Sequence, residues 1–155
     1  YEFRLKVKEK PIRIVGCHLF SSNDIDKTHR YALKNKHDLL DLPDYYANYK
    51  KAMEIRTRQA ELIRDCILSE DLPTIIMGDM NDFSGTSPLN TLQKTGFKDA
   101  WWEGGNGFGI TFHEDWMHFR LDHILYDANW ELSSVKVVQS DLSDHRPLVA
   151  EFSMK

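Results

Sequence analysis

Four short groups of residues carry side chains able to activate water or hold a phosphate. Gly78-Asp79-Met80-Asn81-Asp82 sets a carboxylate two residues from a carboxamide. If the extended backbone continues, Asp79 and Asn81 point the same way, so that Asp79 takes a proton while Asn81 orients water or phosphate. The plainer alternative is an Asx-rich turn, which these residue types favour anyway. Ser143-Asp144-His145-Arg146-Pro147 pairs an oxygen donor for a hard cation, Asp144, with an imidazole able to donate to a phosphate oxygen. Its plainer alternative is a strand-entry turn with a surface histidine. In Arg120-Leu121-Asp122-His123, alternation puts Arg120 and Asp122 on one face, where Asp122 could fix the tautomer of His145; an Arg–Asp pair on a sheet is the competing reading. His18-Leu19 offers a general acid at a strand end, or a structural histidine. The histidines at 29, 37, 113, 118 and 123 show no usable ligand spacing.

The elements that must position these groups are legible from hydrophobic pattern. Phe3, Leu5 and Val7 alternate with charged residues, and Lys10-Pro11 is expected to turn the chain into a second strand, Ile12 to Phe20. Ser21 to Leu42 reads as a long polar excursion. Tyr49 to Leu68 reads as a helix with Ala52, Ile55, Leu62, Ile63, Cys66 and Ile67 on its apolar side. Thr74–Met77 is a short β-branched strand ending at Gly78. Ser84 to Thr95 holds a short helix opened by Pro88. Strands are expected at Thr111-Phe112, Leu121–Tyr126, Ser134–Val138 and Leu148–Phe152. This pattern predicts an α/β or α+β fold, with each chemical group at a strand boundary.

Composition bounds the function without naming it. With 155 residues, 41% apolar and 28% charged, the chain suits one globular domain. No apolar run approaches the roughly 20 residues of a membrane helix. Cys17 and Cys66 read as two buried thiols. The net charge of -4 argues against a dedicated nucleic-acid binder, and the local excess of Lys and Arg from Lys27 to Arg64 reads first as a solvated helical face.

Taken in order, His18-Leu19, Gly78-Asp79-Met80-Asn81, Arg120-Leu121-Asp122 and Ser143-Asp144-His145-Arg146-Pro147 resemble the motif series of the endonuclease/exonuclease/phosphatase superfamily. The segment Glu54 to Gln59 resembles its helix. The resemblance implies part of a four-layer α/β/β/α sandwich of the DNase I-like kind, and hydrolysis of phosphate esters with Mg²⁺ or Mn²⁺. It implies that Asp79 deprotonates water, that Asn81 binds phosphate or assists at the metal, and that His145, oriented by Asp122, stabilises phosphoryl charge. Asp144 would join Asp79 and Asn81 at the metal, and His18 would act as phosphate ligand or general acid.

The family's first half supplies an Asn and the main metal-binding Glu, which nothing here matches. The chain is therefore expected to be a C-terminal portion, weakly active alone. The competing expectation is an inactive fragment or binding module. A half-sandwich would expose an apolar sheet face, so the N-terminal half or a second copy, as a homodimer, is the expected partner. The substrate stays open between nucleic acid, lipid and sugar phosphates. The series also resembles bacterial members tethered to membranes upstream of this region.

Overall fold

The computed structural model describes residues 1–22, 42–114 and 117–155, with residues 42–45 described by backbone only. The elements are β1 (Glu2–Val7), β2 (Lys10–His18), α1 (Leu42–Leu68), β3 (Thr74–Asp79), α2 (Ser87–Gln93), β4 (Lys98–Asp99) and α3 (Ala100–Gly104). They continue with β5 (Phe112–Glu114), β6 (Met117–Phe119), β7 (Asp122–Tyr126), β8 (Trp130–Val137) and β9 (Leu148–Met154). Most of the long excursion, with His29, His37 and much of the basic stretch, lies outside the described residues. No described helix is long and apolar enough to cross a membrane.

Five strands form the main sheet in the order β1-β2-β3-β7-β4. Only β2 and β3 run parallel, and α1 makes the crossover that such a pair requires. The β1–β2 turn is at Lys8-Glu9, not at Lys10-Pro11. Both turn residues have positive φ, 48° and 64°, as a two-residue hairpin turn demands. Pro11 is instead a strand residue opposite Lys6. The β2–β3 ladder begins only at Arg13, so at Pro11 the strand has one neighbour and a missing N–H is tolerated.

Both faces of this sheet carry a core. On one, Val15, Leu19, Ile76, Met80 and Leu125 pack with Ala60 and Ile67 of α1 and Leu89 and Leu92 of α2. On the other, Ile12, Ile75, Ile124 and Tyr126 pack against the β8–β9 hairpin through Trp130, Leu132, Val135 and Phe152. The described residues thus make three layers, helix, sheet and sheet, each of which buries a stripe that water would penalise. The outer face of the hairpin is mainly polar, with Glu131, Lys136, Glu151 and Ser153 exposed. The uncovered apolar stripe lies elsewhere. Phe3 and Leu5 of β1 are exposed beside Ile14 and Ile12, their register partners on the inter-sheet side, and Tyr1 just before the strand is exposed as well.

The buried stripe of α1 also differs from the expected face. It runs Ala52, Arg56, Ala60, Ile63 and Ile67, while Leu62 is 71% exposed and the Cys66 thiol is exposed, donating to a Glu2 carboxylate oxygen at 3.3 Å. An arginine in the stripe hides it from an apolar count. Cys17 is half-buried rather than fully buried as expected, and that burial pushes its thiol up to about 11.

Candidate active site

Register brings three of the candidate residues into one row. His18 closes β2 opposite Asp79 of β3, and Asp79 in turn lies opposite Asp122 of β7. His145 comes from the turn before β9, bridged to Phe112 of β5. Its Nδ1 lies 2.7 Å from Asp122 Oδ2, so the ring must carry its proton there to donate to the carboxylate. Its Nε2 then faces Asp79 Oδ2 at 3.8 Å, while His18 Nε2 approaches the same oxygen at 3.5 Å from the solvent side. Two imidazoles therefore approach one carboxylate oxygen, and a second carboxylate holds one of them from behind. A cavity of about 350 Å³ is lined by Asp122 and His145 with Gly78, Arg146 and the inter-sheet residues Met77, Ile124 and Leu148; Asp79 and His18 do not line it.

Local backbone geometry explains how Asp79 gets there. Gly78 has φ +140°, and a Cβ built on it would lie 1.9 Å from the Cys17 carbonyl oxygen, so only glycine lets β3 approach β2 so closely. After Asp79 the chain leaves the sheet. Asn81 adopts φ 49°, its N–H donates to Asp79 Oδ1 at 2.8 Å, and its Nδ2 donates to the Leu19 carbonyl at 2.9 Å. The expected alternation of Asp79 and Asn81 is thus broken by a left-handed turn, and Asn81 serves as a clasp between β2 and β3. Asp144 is exposed, and its Oδ1 accepts from the Ser143 hydroxyl at 3.2 Å.

The electrostatics follow from burial and charge. Burial holds the Asp79 carboxyl above the usual carboxylate range. Asp122 pushes it further, against the Asn81 N–H and the two histidines. For His145, burial opposes the charged ring, but the Asp122 hydrogen bond together with the charges of Asp122, Asp79 and Asp144 outweighs it and raises the pKa. The pair is thus a carboxyl that accepts a proton more readily than usual beside an imidazole that keeps one.

Two supporting networks escaped sequence reasoning. Asp82 is fully buried and accepts from Arg56 Nε at 2.8 Å, from Tyr49 at 2.9 Å and from the Phe83 N–H at 2.9 Å. The signal was available: Arg56 interrupts a stripe of small apolar residues on α1, and a buried arginine requires an acid. The second network corrects the expected alternation around Asp122. Arg120 precedes β7 and turns into the core, donating to both oxygens of Asp99 at 3.1 and 2.9 Å and to the Ser84 hydroxyl. His123, fully buried, approaches Asp99 Oδ2 at 3.0 Å and the Asp82 carbonyl at 3.1 Å. The Thr111 hydroxyl, also buried, accepts from the Leu121 and Asp122 N–H groups at 3.1 Å each, and so fixes the strand entry that carries Asp122.

The donor chemistry suits a hard cation. Asp79 Oδ2 keeps only its two longer imidazole approaches, and the oxygens of Asp79, Asp144 and the Asn81 carboxamide are of the kind that Mg²⁺ or Mn²⁺ prefers. Among the described residues no group of three or more His, Cys, Asp or Glu side chains is arranged to hold an ion, so these donors are part of a coordination shell at most.

A family model for the endonuclease/exonuclease/phosphatase family matches residues 9–145. The chain belongs to that family. Family members hydrolyse phosphate esters and generally use divalent metal ions. A curated relative, a UPF0294 protein of Vibrio campbellii, is 26% identical over 155 residues, covering 95% of this chain and 48% of that protein. A humanised TDP2 from D. rerio superposes with a TM-score of 0.62 at 16% identity, covering 99% of this chain and 59% of that one. A mannosyl-6-phosphatase of Bacteroides thetaiotaomicron gives 0.56 at 18% identity, with 65% and 46% covered. These likenesses show the DNase I-like fold. The chain spans about half the length of the curated relative it matches.

Proposed function

We propose that this chain contributes one side of the active site of a divalent-metal-dependent phosphoesterase. The observation that carries the proposal is the convergence of His18, Asp122 and His145 on Asp79 at one end of three adjacent strands. Phosphoryl transfer needs positioning and charge stabilisation more than covalent help, and these groups provide both. Asp79 Oδ2 accepts the proton of the attacking water, its raised proton affinity suiting a base. His145 donates from Nε2 to a phosphoryl oxygen, and Asp122 holds the ring so that Nδ1 cannot compete for that role. His18, 74% exposed, is free to protonate the leaving oxygen or bind phosphate. Asp79, Asn81 and Asp144 would contribute to a Mg²⁺ or Mn²⁺ site; when bound, the ion neutralises phosphate charge.

The rest of the coordination shell is assigned to a further segment or copy. Two observations support this: the chain's length relative to the family members it matches, and the exposed Phe3-Leu5 stripe on the inter-sheet side. A second reading, an inactive piece or binding module of the same fold, draws on that same half-length match. Hydrolysis of bis-p-nitrophenyl phosphate and p-nitrophenyl phosphate by the full-length protein, with Mg²⁺ and with EDTA, separates the two. Activity that is lost in EDTA and in His145→Ala is the expected result. Activity unaffected by both would overturn the proposal, and a full-length protein without activity on any phosphate ester would favour the binding module.

A further inference from the structure

A second groove shares a wall with the cavity lined by Asp122 and His145. It measures about 430 Å³ and lies between the glycine-rich loop before β5 and the end of β8, with Arg146 lining both spaces. Its polar lining comes from Arg146, Lys136, Asn106 and Gln139, and no carboxylate lines it. Among the described residues neither cation has an acidic partner. The Arg146 Nε is buried without any acceptor, which leaves a charged donor unsatisfied. Phe108, at 88% exposure, stands at the groove as a large aromatic surface that the fold does not use.

The backbone that carries these groups is held firmly. The Arg146 N–H donates to the Thr111 carbonyl at 2.6 Å, and the Val138 N–H donates to the Pro147 carbonyl at 2.8 Å. Val137 pairs with Leu148 in the β8–β9 register, so Lys136 and Arg146 keep a fixed relation. Two permanent cations, two amides and no acid, fixed before any ligand arrives, make a site for an anion. Arg146 lines both this groove and the cavity that His145 lines, so the two spaces meet at one guanidinium.

We propose that this groove is a subsite for a second phosphate group of the substrate, so that the preferred ester carries two phosphates within one molecule. The anion site stands on the groove itself; only its role as a substrate subsite rests on the phosphoesterase reading. A nucleotide chain and a polyol bisphosphate offer the same chemistry, and Phe108 distinguishes them because a base can stack on it while a polyol cannot.

The test is an NMR titration of the ¹⁵N-labelled 155-residue chain with sodium pyrophosphate at low salt, without metal. Shifts are expected in the Gly107–Ile110 amides, Gln139 and Arg146 Nε–H. Lys136→Gln and Arg146→Gln should each weaken binding roughly tenfold, the loss of one charge-assisted contact. Lys136 is exposed, so its variant stays informative should Arg146→Gln fail to fold. His145→Ala should leave the groove shifts in place. Binding that vanishes in His145→Ala but survives Arg146→Gln would put the anion beside His145 and overturn the proposal, as would the absence of shifts in the groove. Deoxyadenosine 3′,5′-bisphosphate weakened by Phe108→Ala would identify a nucleotide chain; myo-inositol 1,4-bisphosphate binding insensitive to Phe108→Ala would identify a polyol phosphate. Groove binding in a full-length protein without hydrolytic activity would sink the phosphoesterase reading and leave the anion site standing.

Discussion

Replacing Asp82 by alanine removes the acid that anchors the catalytic turn to α1. Both Asp82 and Arg56 are 0% exposed and lie 2.8 Å apart. The substitution leaves Arg56 buried as an uncompensated charge. Its Nη1 keeps the Phe20 carbonyl at 3.1 Å and the Ser22 hydroxyl at 3.2 Å, but among the described residues Nη2 already lacks a hydrogen-bond partner and Nε loses the one it has. Tyr49 and the Phe83 N–H lose an acceptor as well. Breaking a buried pair from one side costs about 3–5 kcal/mol, against a typical domain stability of about 5–15. The exposed pair of Arg64 and Asp65, 2.8 Å apart, is the internal control, and Asp65→Ala should cost under about 1 kcal/mol. Urea unfolding followed by tryptophan fluorescence gives both values from the midpoints at constant m. The double variant Arg56→Met/Asp82→Ala should recover part of the loss, since no charge is left stranded. A cost for Asp82→Ala no greater than that of Asp65→Ala would refute the reasoning.

Gly78→Ala should destabilise by about 3 kcal/mol or more, since its methyl would collide with the Cys17 carbonyl in a backbone conformation that L side chains rarely adopt; urea unfolding and loss of the His18-to-Asp79 proximity in NMR would report it. Asp122→Asn should lower the His145 pKa, because burial stays while the charge that opposes it goes; imidazole ¹⁵N shifts against pH read this, and an unchanged titration would deny the contact. Asp99 is held below its ordinary value of 3.8: burial works against it, and His123 with Arg120 outweighs that. Its contribution to stability is therefore present above that value and lost as pH falls through the lowered one. The gap in unfolding free energy between wild type and Asp99→Asn should be wide at pH 6 and close below about pH 4; a constant gap would contradict it.

The candidate residues of the site were legible in residue type, and their arrangement was not. Thr74–Met77 and Leu121–Tyr126 announce buried strands through β-branched and apolar runs, and an acid stands at the end of the first and the start of the second, where a turn or a sheet ion pair was an equally available reading. That His18, Asp79 and Asp122 share a row depends on strand register, which is settled by packing between segments far apart in the chain. Asn81 looked like a strand continuation because alternation is a local rule, whereas its left-handed turn is stabilised by a distant carbonyl, that of Leu19. Arg120 looked like a surface partner of Asp122, but Asp99 and Ser84, distant in sequence, draw it inward.

The row of His18, Asp79 and Asp122 has a consequence for how such a site can change over time. Neighbouring strands sit about 4.7–4.9 Å apart whatever their side chains, so the gaps in this row are set by the peptide ladder and not by any loop. Surrounding loops can lengthen, shorten or exchange residues and leave that ruler untouched. A one-residue slip of any of the three strands, by contrast, would turn its acid or imidazole to the opposite face and out of the row. The site therefore tolerates wide variation at its rim and almost none along its strands.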